Sequence, residues 1–329
     1  FESIVRQGKY SNLAAKELLQ GGKDERKLTH ATVMGALDKL IYIDYIIKAY
    51  ARGRLRPVVQ DILRLGVYQL LFMNIPAYAV CSEWTQLASQ LGKGAQKGYI
   101  NGVLRSIERS KSALPLPDRA ASPEEYLSVK YSYPQFLVKE SIEEYGFEET
   151  EKMLAYQPEH YTAVRFDIKS ISREAFIKEL DRLNCQYKPG LLYKDVFLIK
   201  GNKIFQDNLF KSGICSVQSE PSVLVCNVAA PEKNQRILDC CAAPGGKSVC
   251  LAGLMGSGEI VALDKYEHRV QLIKANAARC GAENIINACV WDAAVFNPKL
   301  GLFDLVLVDA PCSGLGVLSG KPDIKLRLT

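Results

Sequence analysis

The sequence predicts a multidomain protein with an all-α N-terminal domain, a small α+β middle domain and a Rossmann-like α/β C-terminal domain. Two patterns support this order. Apolar side chains recur at spacings of three and four in residues 1–112, which is the period of amphipathic helices. From about residue 216, short apolar strands alternate with helical segments, as in a doubly wound parallel sheet. The predicted domains are 1–112, 126–215 and 216–329, and residues 113–125 are the predicted linker.

The N-terminal domain contains two clear helix faces. Pro57 suits the first turn of a helix, where its missing backbone N–H is not needed. The apolar residues that follow it at helical spacing are Val59, Ile62, Leu63, Val67, Leu70 and Leu71. A second face comprises Tyr99, Ile100, Val103, Leu104 and Ile107. We therefore expect a helical bundle in this part of the chain.

The positive charge of the chain is concentrated in the same domain. The whole chain has a net charge of +6, whereas residues 1–112 alone contain 17 Lys and Arg against 9 Asp and Glu. The basic residues that cluster before or along the predicted helices are Arg52, Arg54, Arg56, Lys97, Arg105 and Arg109. On their own, they fit either a solvated basic face or a surface that contacts phosphate groups.

Composition argues against several other classes of protein. Hydrophobic residues make up 48% of the chain and charged residues 24%, which is ordinary for a soluble globular protein. No apolar run approaches the roughly 20 residues of a membrane span, so no membrane partner is expected. The ten cysteines form no Cys-x-x-Cys pair and the chain has three histidines, so no metal site is expected. Because the cysteines are scattered along the chain, a reducing, cytoplasmic location is expected.

The sequence pattern that predicts secondary structure changes twice between the N-terminal helical domain and the C-terminal α/β domain. Residues 113–125 contain three prolines, which indicates a linker, and residues 126–158 are predicted to be helical. From Thr162, short strands flank a helix for which Ser172 is the predicted N-cap. This alternation predicts a small α+β domain.

The C-terminal domain is predicted to open, after Gly213, with a helix over residues 216–229 (SVQSEPSVLVCNVA) and then to contain four strands. The strand sequences are RILDCCA, EIVALD, INACVWD and FDLVLVDAP. Helices are expected after the first two strands, and Gly281 is the expected cap of the second helix. Such alternation predicts a parallel sheet with helices on its faces.

A glycine-rich turn follows the first of these strands, in the segment ILDCCAAPGGKS. A phosphate-binding P-loop needs glycine at the position that Cys241 occupies, and the dinucleotide pattern G-x-G-x-x-G is also missing. The second strand ends about 20 residues later at Asp264, where an acid commonly binds the hydroxyls of a ribose. The turn and Asp264 together predict a site for a cofactor that contains a nucleoside.

The motif DAPCSG follows the apolar run LVLV, and with CAAPGGK it resembles the RNA cytosine-carbon-5 methyltransferases. The likeness is strongest to the bacterial 16S rRNA members of the RsmB/Sun/Fmu family, and it also covers LRPVVQDILRLGVYQLLFMNIPAYAV, NGVLRSIER, GICSVQSEPS and KPDIK. This resemblance implies S-adenosylmethionine as cofactor. The residues that it implies for the cofactor site are Cys241, Ala242, Ala243, Pro244, Gly245, Gly246, Lys247, Asp264, Asp292 and Asp309.

The resemblance also implies the partner and the roles of the other domains. It makes residues 1–112 a NusB-like RNA-binding domain, in which the six clustered basic residues contact 16S rRNA. It gives the α+β domain the task of holding the RNA strand, and we expect a monomer. A non-catalytic ribosome assembly factor, and the same chemistry on tRNA, are the alternatives that the sequence leaves open.

In the family, a cysteine thiolate adds to carbon 6 of cytosine so that carbon 5 becomes nucleophilic. That cysteine belongs to a later Thr-Cys motif, which we expect beyond Thr329. Cys312, in DAPC, would then assist product release, although in related DNA enzymes the Pro-Cys cysteine is itself the nucleophile. Asp309 is the expected partner of the flipped cytosine, and Lys247 is expected to point at either cofactor or base.

Four strands are predicted where methyltransferases of this kind have seven. We therefore expect the α/β domain to be truncated after its fourth strand and the natural protein to continue.

Overall fold

The computed structural model describes residues 1–329 except 12–13, 15–22, 158, 160, 319 and 329, and leaves the side chains of residues 23–24 undescribed. The chain forms two compact units. One comprises residues 1–158 together with 313–329, and the other comprises residues 159–312. The four-part division predicted from the sequence remains a prediction.

The first unit is helical in its described part. Its helices are α1 (Glu2–Val5), α2 (Lys23–Asp38), α3 (Leu40–Tyr50), α4 (Pro57–Phe72), α5 (Ala77–Gln90), α6 (Lys97–Arg109), α7 (Pro123–Tyr131), α8 (Gln135–Tyr145) and α9 (Phe147–Ala155). The expected start of α4 at Pro57 is confirmed. So is the expected helical character of residues 126–158, because α7, α8 and α9 occupy most of that range.

Both predicted apolar faces lie in the core of this unit. Leu63 and Val67 of α4 are fully buried, as are Ile100 and Leu104 of α6. A Cβ atom on Gly66 would lie 3.1 Å from the Leu104 side chain, so α4 and α6 approach closely at this glycine. Side chains at helical spacing form the core because they all point to one face of the helix.

Buried charges in this unit are paired. The guanidinium of Arg64 donates to Asp44 through Nε at 2.7 Å and contacts Asp61 at 3.1 Å. Near the C-terminus, Lys325 lies 5% exposed with its Nζ 2.8 Å from Oδ1 of Asp38. Pairing offsets part of the cost of removing such groups from water.

The second unit begins with an antiparallel sheet in the order β2-β3-β1-β4. Its elements are β1 (Thr162–Phe166), α10 (Arg173–Arg182), β2 (Gln186–Pro189), β3 (Val196–Lys200), α11 (Asn208–Lys211) and β4 (Cys215–Val217). Ser172 caps α10 as predicted, because its side chain accepts a hydrogen bond from the N–H of Ala175 at 3.2 Å.

The helix predicted over residues 216–229 was placed about four residues too early at its start. Cys215–Val217 form the edge strand β4, and the helix α12 begins at Glu220 and ends at Ala229. Val217 pairs with Val164 of β1 across the sheet. A three-residue strand has no recognisable period of its own, so this pairing with a distant strand decides its structure.

A parallel sheet in the order β7-β6-β5-β8 completes the second unit. Its elements are β5 (Arg236–Asp239), α13 (Gly246–Met255), β6 (Glu259–Asp264), α14 (Glu267–Arg279), β7 (Ile286–Val290) and β8 (Leu305–Leu307). All four predicted strands are present and parallel. Gly281 follows the end of α14 with a φ of +64°, which confirms it as the residue that ends this helix.

No helix in the described ranges is long and apolar enough to cross a bilayer. Nor do those ranges contain a group of three or more His, Cys, Asp or Glu side chains that could hold a metal ion.

Candidate active site

Each strand of the parallel sheet carries an acidic residue at or just beyond its carboxyl end. Asp239 is the last residue of β5 and Asp264 the last of β6, whereas Asp292 and Asp309 each lie two residues past β7 and β8. Because the strands are parallel, these four positions lie along the same edge of the sheet. Ligands of open α/β sheets bind at this edge.

The turn after β5 is held by backbone hydrogen bonds and by α14. The N–H of Gly245 donates to the carbonyl of Ala242 at 2.7 Å, and the Ala243–Pro244 peptide bond between them is cis. The carbonyl of Pro244 accepts a hydrogen bond from the Asn276 side chain at 2.6 Å. These contacts fix the path of the backbone between β5 and α13.

The two glycines of the turn have different tasks. Gly245 has a φ of +101°, and a Cβ there would lie 3.2 Å from the Cα of Ile273, so a side chain would strain the turn and crowd α14. A Cβ on Gly246 would meet no atom within 4 Å. The first turn of α13 is thus open to a ligand, and backbone N–H groups at a helix start suit polar or anionic groups.

A cavity of about 250 Å³ lies against this turn. Predicted site residues that line it are Cys241, Ala242, Ala243, Pro244, Gly246, Lys247 and Asp309. The cavity is also lined by Val217, the last residue of β4, and by Gln218, Ser219 and Ser222, which follow it in sequence. Gly245, Asp264 and Asp292 do not line this cavity.

Asp264 and Asp292 lie farther along the same edge of the sheet. Asp264 is 4% exposed, and its Oδ1 accepts a hydrogen bond from the N–H of Tyr266 at 3.2 Å. Arg269 lies 3.4 Å from its Oδ2. Asp292 is paired with Lys265 at 2.9 Å, and this hydrogen bond lowers the pKa of Asp292 and raises that of Lys265. Both acids are therefore fixed by neighbours at the strand ends.

Lys247 connects the turn to the DAPCSG motif. Its Nζ lies 2.5 Å from Oδ2 of Asp309, although the two residues are 62 positions apart. The Lys247 side chain is 19% exposed and that of Asp309 is 53% exposed, so the pair is open on the Asp309 side. Cys312, three residues after Asp309, is exposed.

Two buried polar residues, Asp239 and Gln218, also line the cavity and were not predicted from the sequence. Asp239 is 1% exposed, and its Oδ2 accepts a hydrogen bond from Ser248 at 2.7 Å. Burial raises the pKa of Asp239, while the Ser248 hydrogen bond and the charge of Lys247 act in the opposite direction. Gln218 is 5% exposed. An acid that ends an apolar strand, as Asp264 also does, was the signal in the sequence for Asp239.

The six basic residues predicted to bind RNA are all exposed. The Tyr99 hydroxyl, near the start of α6, hydrogen-bonds both the N–H and the carbonyl of Arg52 at 3.1 Å. The backbone of Arg52 is therefore held beside the first turn of α6, which also carries Lys97. Arg105 and Arg109 lie farther along α6, and none of the six forms an ion pair within the described part of the chain. The predicted contact of these residues with RNA remains a prediction.

Two segments of the chain match known protein families. Residues 226–329 match the family described as 16S rRNA methyltransferase RsmB/F, and residues 4–109 match the NusB family. The probable ribosomal RNA small subunit methyltransferase B of Bacillus subtilis is 36% identical over 328 residues, which cover 96% of this chain and 72% of that protein. Ribosomal RNA small subunit methyltransferase B of Escherichia coli K12 is 30% identical, with 98% and 75% of the two chains covered.

Solved structures show the same fold at lower identity. The crystal structure of PH0851 matches with a TM-score of 0.77 and 24% identity over 97% of this chain and 73% of that one. NSun6 from Pyrococcus horikoshii with SFG matches with a TM-score of 0.53 and 20% identity, covering 60% of this chain and 75% of that one. With its helical NusB region and Rossmann-like sheet, the chain belongs to the family of 16S rRNA methyltransferases B.

Proposed function

We propose that this protein transfers a methyl group from S-adenosylmethionine to carbon 5 of a cytosine in 16S rRNA. The observation that carries the proposal is the contact between Lys247 of the glycine-rich turn and Asp309 of DAPCSG, with the exposed Cys312 three residues away. This contact joins the segment that suits a nucleoside cofactor to the segment that the family resemblance assigns to the target base.

S-adenosylmethionine is the cofactor, and the residues at the strand ends fit its parts. The ribose is assigned to Asp264, whose nearly buried carboxylate ends β6 as in other nucleoside sites. Asp292, after the neighbouring strand β7, is assigned to the adenine side. Gly246 leaves the backbone open to close approach by the cofactor. When bound, S-adenosylmethionine supplies an electrophilic methyl group.

The target base has to leave its stack, because ring carbons are inaccessible inside a helix. Asp309 is half-exposed and is assigned to hydrogen-bonding the flipped cytosine at ring nitrogen 3. Lys247 holds the carboxylate of Asp309 from the side of the turn. It is therefore a positioning residue in this proposal, with its ammonium close to where the base binds.

Carbon 5 of cytosine needs activation before it can accept a methyl group. A thiolate that adds to carbon 6 makes the ring an enamine, whose carbon 5 is nucleophilic. After methylation, a base removes the proton from carbon 5 and the thiolate leaves as the ring double bond reforms. We assign the attacking thiolate to a cysteine outside residues 1–329, and we assign Cys312 to the release step.

The exposed basic residues beside Tyr99 are assigned to 16S rRNA. Phosphate groups are recognised by clusters of Lys and Arg that are not neutralised by neighbouring acids. Arg52, Arg54, Arg56 and Lys97 fit this description, since they are exposed and have no described ion pair.

The test uses the full-length protein, methyl-labelled S-adenosylmethionine and 16S rRNA, with the labelled nucleoside identified after digestion. Label in 5-methylcytidine supports the proposal, and label in another nucleoside contradicts it. tRNA serves as the competing substrate. Retained rRNA binding without any label would favour a non-catalytic assembly factor instead.

A second test addresses the covalent step. We expect Cys312→Ala to accumulate a protein–RNA adduct that survives a denaturing gel, because release of the product is slowed. Cys185→Ala, a change at a partly buried cysteine in the α+β part, is the matched control and forms no such adduct. Loss of all adduct in Cys312→Ala together with loss of methyl transfer would assign the nucleophile to Cys312.

A further inference from the structure

We infer that Arg279 and Asn276, near the C-terminal end of α14, are positioning residues that set the glycine-rich turn against the last strand of the antiparallel sheet. Each holds one of two distant segments that line the candidate active site. Neither residue lines the cavity itself, so both act through the groups that they hold. This role rests on the proposed function, since it concerns the site at which the methyl group is transferred.

Asn276 holds the glycine-rich turn. Its Nδ2 donates a hydrogen bond to the carbonyl of Pro244 at 2.6 Å. One turn earlier on the same face of α14, Ile273 packs against Gly245, where a Cβ would lie 3.2 Å from the Cα of Ile273. The turn is therefore seated on α14 through one polar contact and one close backbone contact.

Arg279 holds the chain on both sides of Gly213. Its Nη1 donates to the carbonyl of Phe210 at 2.7 Å and to that of Cys215 at 3.0 Å. Its Nη2 donates to Oγ of Ser216 at 2.9 Å, and the guanidinium lies 4.6 Å from the centre of the Phe210 ring. Because a guanidinium presents its donors in a rigid plane, this one side chain fixes the relative positions of all these groups.

Gly213 allows this close approach between the loop and the helix. It has a φ of +79°, and a Cβ there would collide with the backbone carbonyl of Arg279. A side chain would therefore be strained by its own backbone conformation and would push the loop away from α14. The Arg279 contacts thus belong to a tightly packed junction between the end of α14 and the start of β4.

The two side chains also contact each other. Oδ1 of Asn276 accepts hydrogen bonds from Nε and Nη2 of Arg279 at 3.4 Å and 3.3 Å. A guanidinium can only donate and the carbonyl of Pro244 can only accept, so these two partners fix the orientation of the Asn276 amide. A chain of hydrogen bonds thus runs from β4 through Arg279 and Asn276 to Pro244.

Both ends of this chain of hydrogen bonds lie at the cavity. Pro244 lines it within the turn, and β4 ends at Val217, which also lines it. The two linings come from the parallel and the antiparallel sheet, so their separation is set by packing between the sheets. A misplacement of about 1 Å in such a site can lower a rate about a hundredfold. Arg279 and Asn276 set this separation from outside the cavity.

The test measures the affinity for S-adenosylmethionine by calorimetry on the full-length protein, together with denaturant unfolding. We expect Asn276→Ala and Arg279→Met each to weaken S-adenosylmethionine binding about tenfold. Because the two residues act in series, the double variant should bind no more weakly than the weaker of the two single variants.

Asn276→Asp separates positioning from stability. Aspartate keeps the acceptor for Arg279 and forms an ion pair with it, but it has no N–H for the carbonyl of Pro244. We expect this variant to bind S-adenosylmethionine as weakly as Asn276→Ala while it is more stable than Asn276→Ala towards denaturant. For a residue that only stabilised the fold, affinity and stability would fall together.

Arg236→Met is the matched control. Arg236, the first residue of β5, donates to the carbonyl of Leu302 at 3.1 Å and to Glu259 at 2.7 Å. Its guanidinium lies 4.5 Å from the centre of the Phe303 ring. Arg236 thus makes the same kinds of contact as Arg279, but at the opposite end of the strand from the candidate active site. We expect Arg236→Met to lower stability and to leave the affinity for S-adenosylmethionine within about twofold.

Additive losses in the double variant would overturn the inference, because the two side chains would then act independently. Unchanged affinity in both single variants would overturn it as well, and so would an equal loss of affinity in Arg236→Met. Cofactor binding is the readout, so these results do not depend on which nucleoside is methylated. Label in a nucleoside other than 5-methylcytidine would contradict the proposed function and leave the role of Arg279 and Asn276 standing.

Discussion

The ammonium of Lys247 lies 2.5 Å from Oδ2 of Asp309, which joins the first turn of α13 to the segment after β8. In sequence the two residues belong to separate motifs, and in the structure they form one polar group at the edge of the sheet. The sequence left open whether Lys247 points at cofactor or base. Its contact with Asp309 places it on the side of the cavity that the proposal gives to the base.

We expect Lys247→Met to lower the rate of methyl transfer strongly while changing the free energy of unfolding by less than about 1 kcal/mol. A half-exposed ion pair contributes little to stability, but loss of its geometry leaves Asp309 free to move. Methyl transfer and denaturant unfolding measure the two effects. Lys152→Met, which breaks the exposed pair with Glu149 on α9, is the control and should alter neither. A large loss of stability in Lys247→Met would make the residue structural instead.

We expect Asp239→Asn to be more stable than the wild type at pH 7, with the difference closing as the pH falls. Burial raises the pKa of Asp239 above its ordinary value of 3.8. An acid with a raised pKa in the folded state stabilises that state fully below the ordinary value and loses this contribution as pH rises through the folded value. Asparagine has no such dependence on pH.

Urea unfolding of Asp239→Asn and wild type between pH 4 and pH 8 measures this difference. A variant that is less stable than the wild type at neutral pH would contradict the prediction, since it would show that the ionised carboxylate contributes to folding. A substitution in a binding site often raises the stability of the fold while it lowers the affinity for the ligand.

We expect reversal of Arg52, Arg54 and Arg56 to Glu to weaken 16S rRNA binding and to reduce its dependence on salt. Each lost phosphate contact lowers the slope of log affinity against log salt by about 1. Filter binding at several salt concentrations measures this slope. Reversal of the exposed Lys139, Lys152 and Lys274 changes the net charge equally and serves as the control. An unchanged slope in the arginine variant, or an equal change in the control, would argue against this surface.

We expect Asp38→Asn to destabilise the helical unit by about 2 kcal/mol, because the ammonium of Lys325 would then be buried without its partner. Lys325→Met should cost clearly less, since it removes the buried charge together with the pair. The Lys325 ammonium also lies 4.0 Å from the centre of the Tyr133 ring, where a methionine side chain keeps apolar contact. Denaturant unfolding measures the free energy of unfolding of both variants. Equal losses of stability in Asp38→Asn and Lys325→Met would show that the ion pair itself stabilises the fold.

Much of the fold could be predicted because its signals are local. Leu63 and Ile100 belong to helix faces that repeat every three or four residues, and both are fully buried in the structure. The strands that end at Asp239 and Asp264 are short apolar runs bounded by turn residues, and both are present. By contrast, Cys215–Val217 became a strand only through its pairing with β1, which no local pattern records.

The sequence by itself determined the family, the order of helical and α/β parts and the segments at the strand ends, because helical period, strand alternation and motif spacing are properties of neighbouring residues. Only the tertiary structure decided which distant side chains meet. It joined Lys247 to Asp309, and it placed Gln218 and Asp239 in the lining of one cavity. The physical reason is that parallel strands bring their carboxyl ends to one edge whatever their separation in sequence, and burial there decides which polar atoms are left without partners.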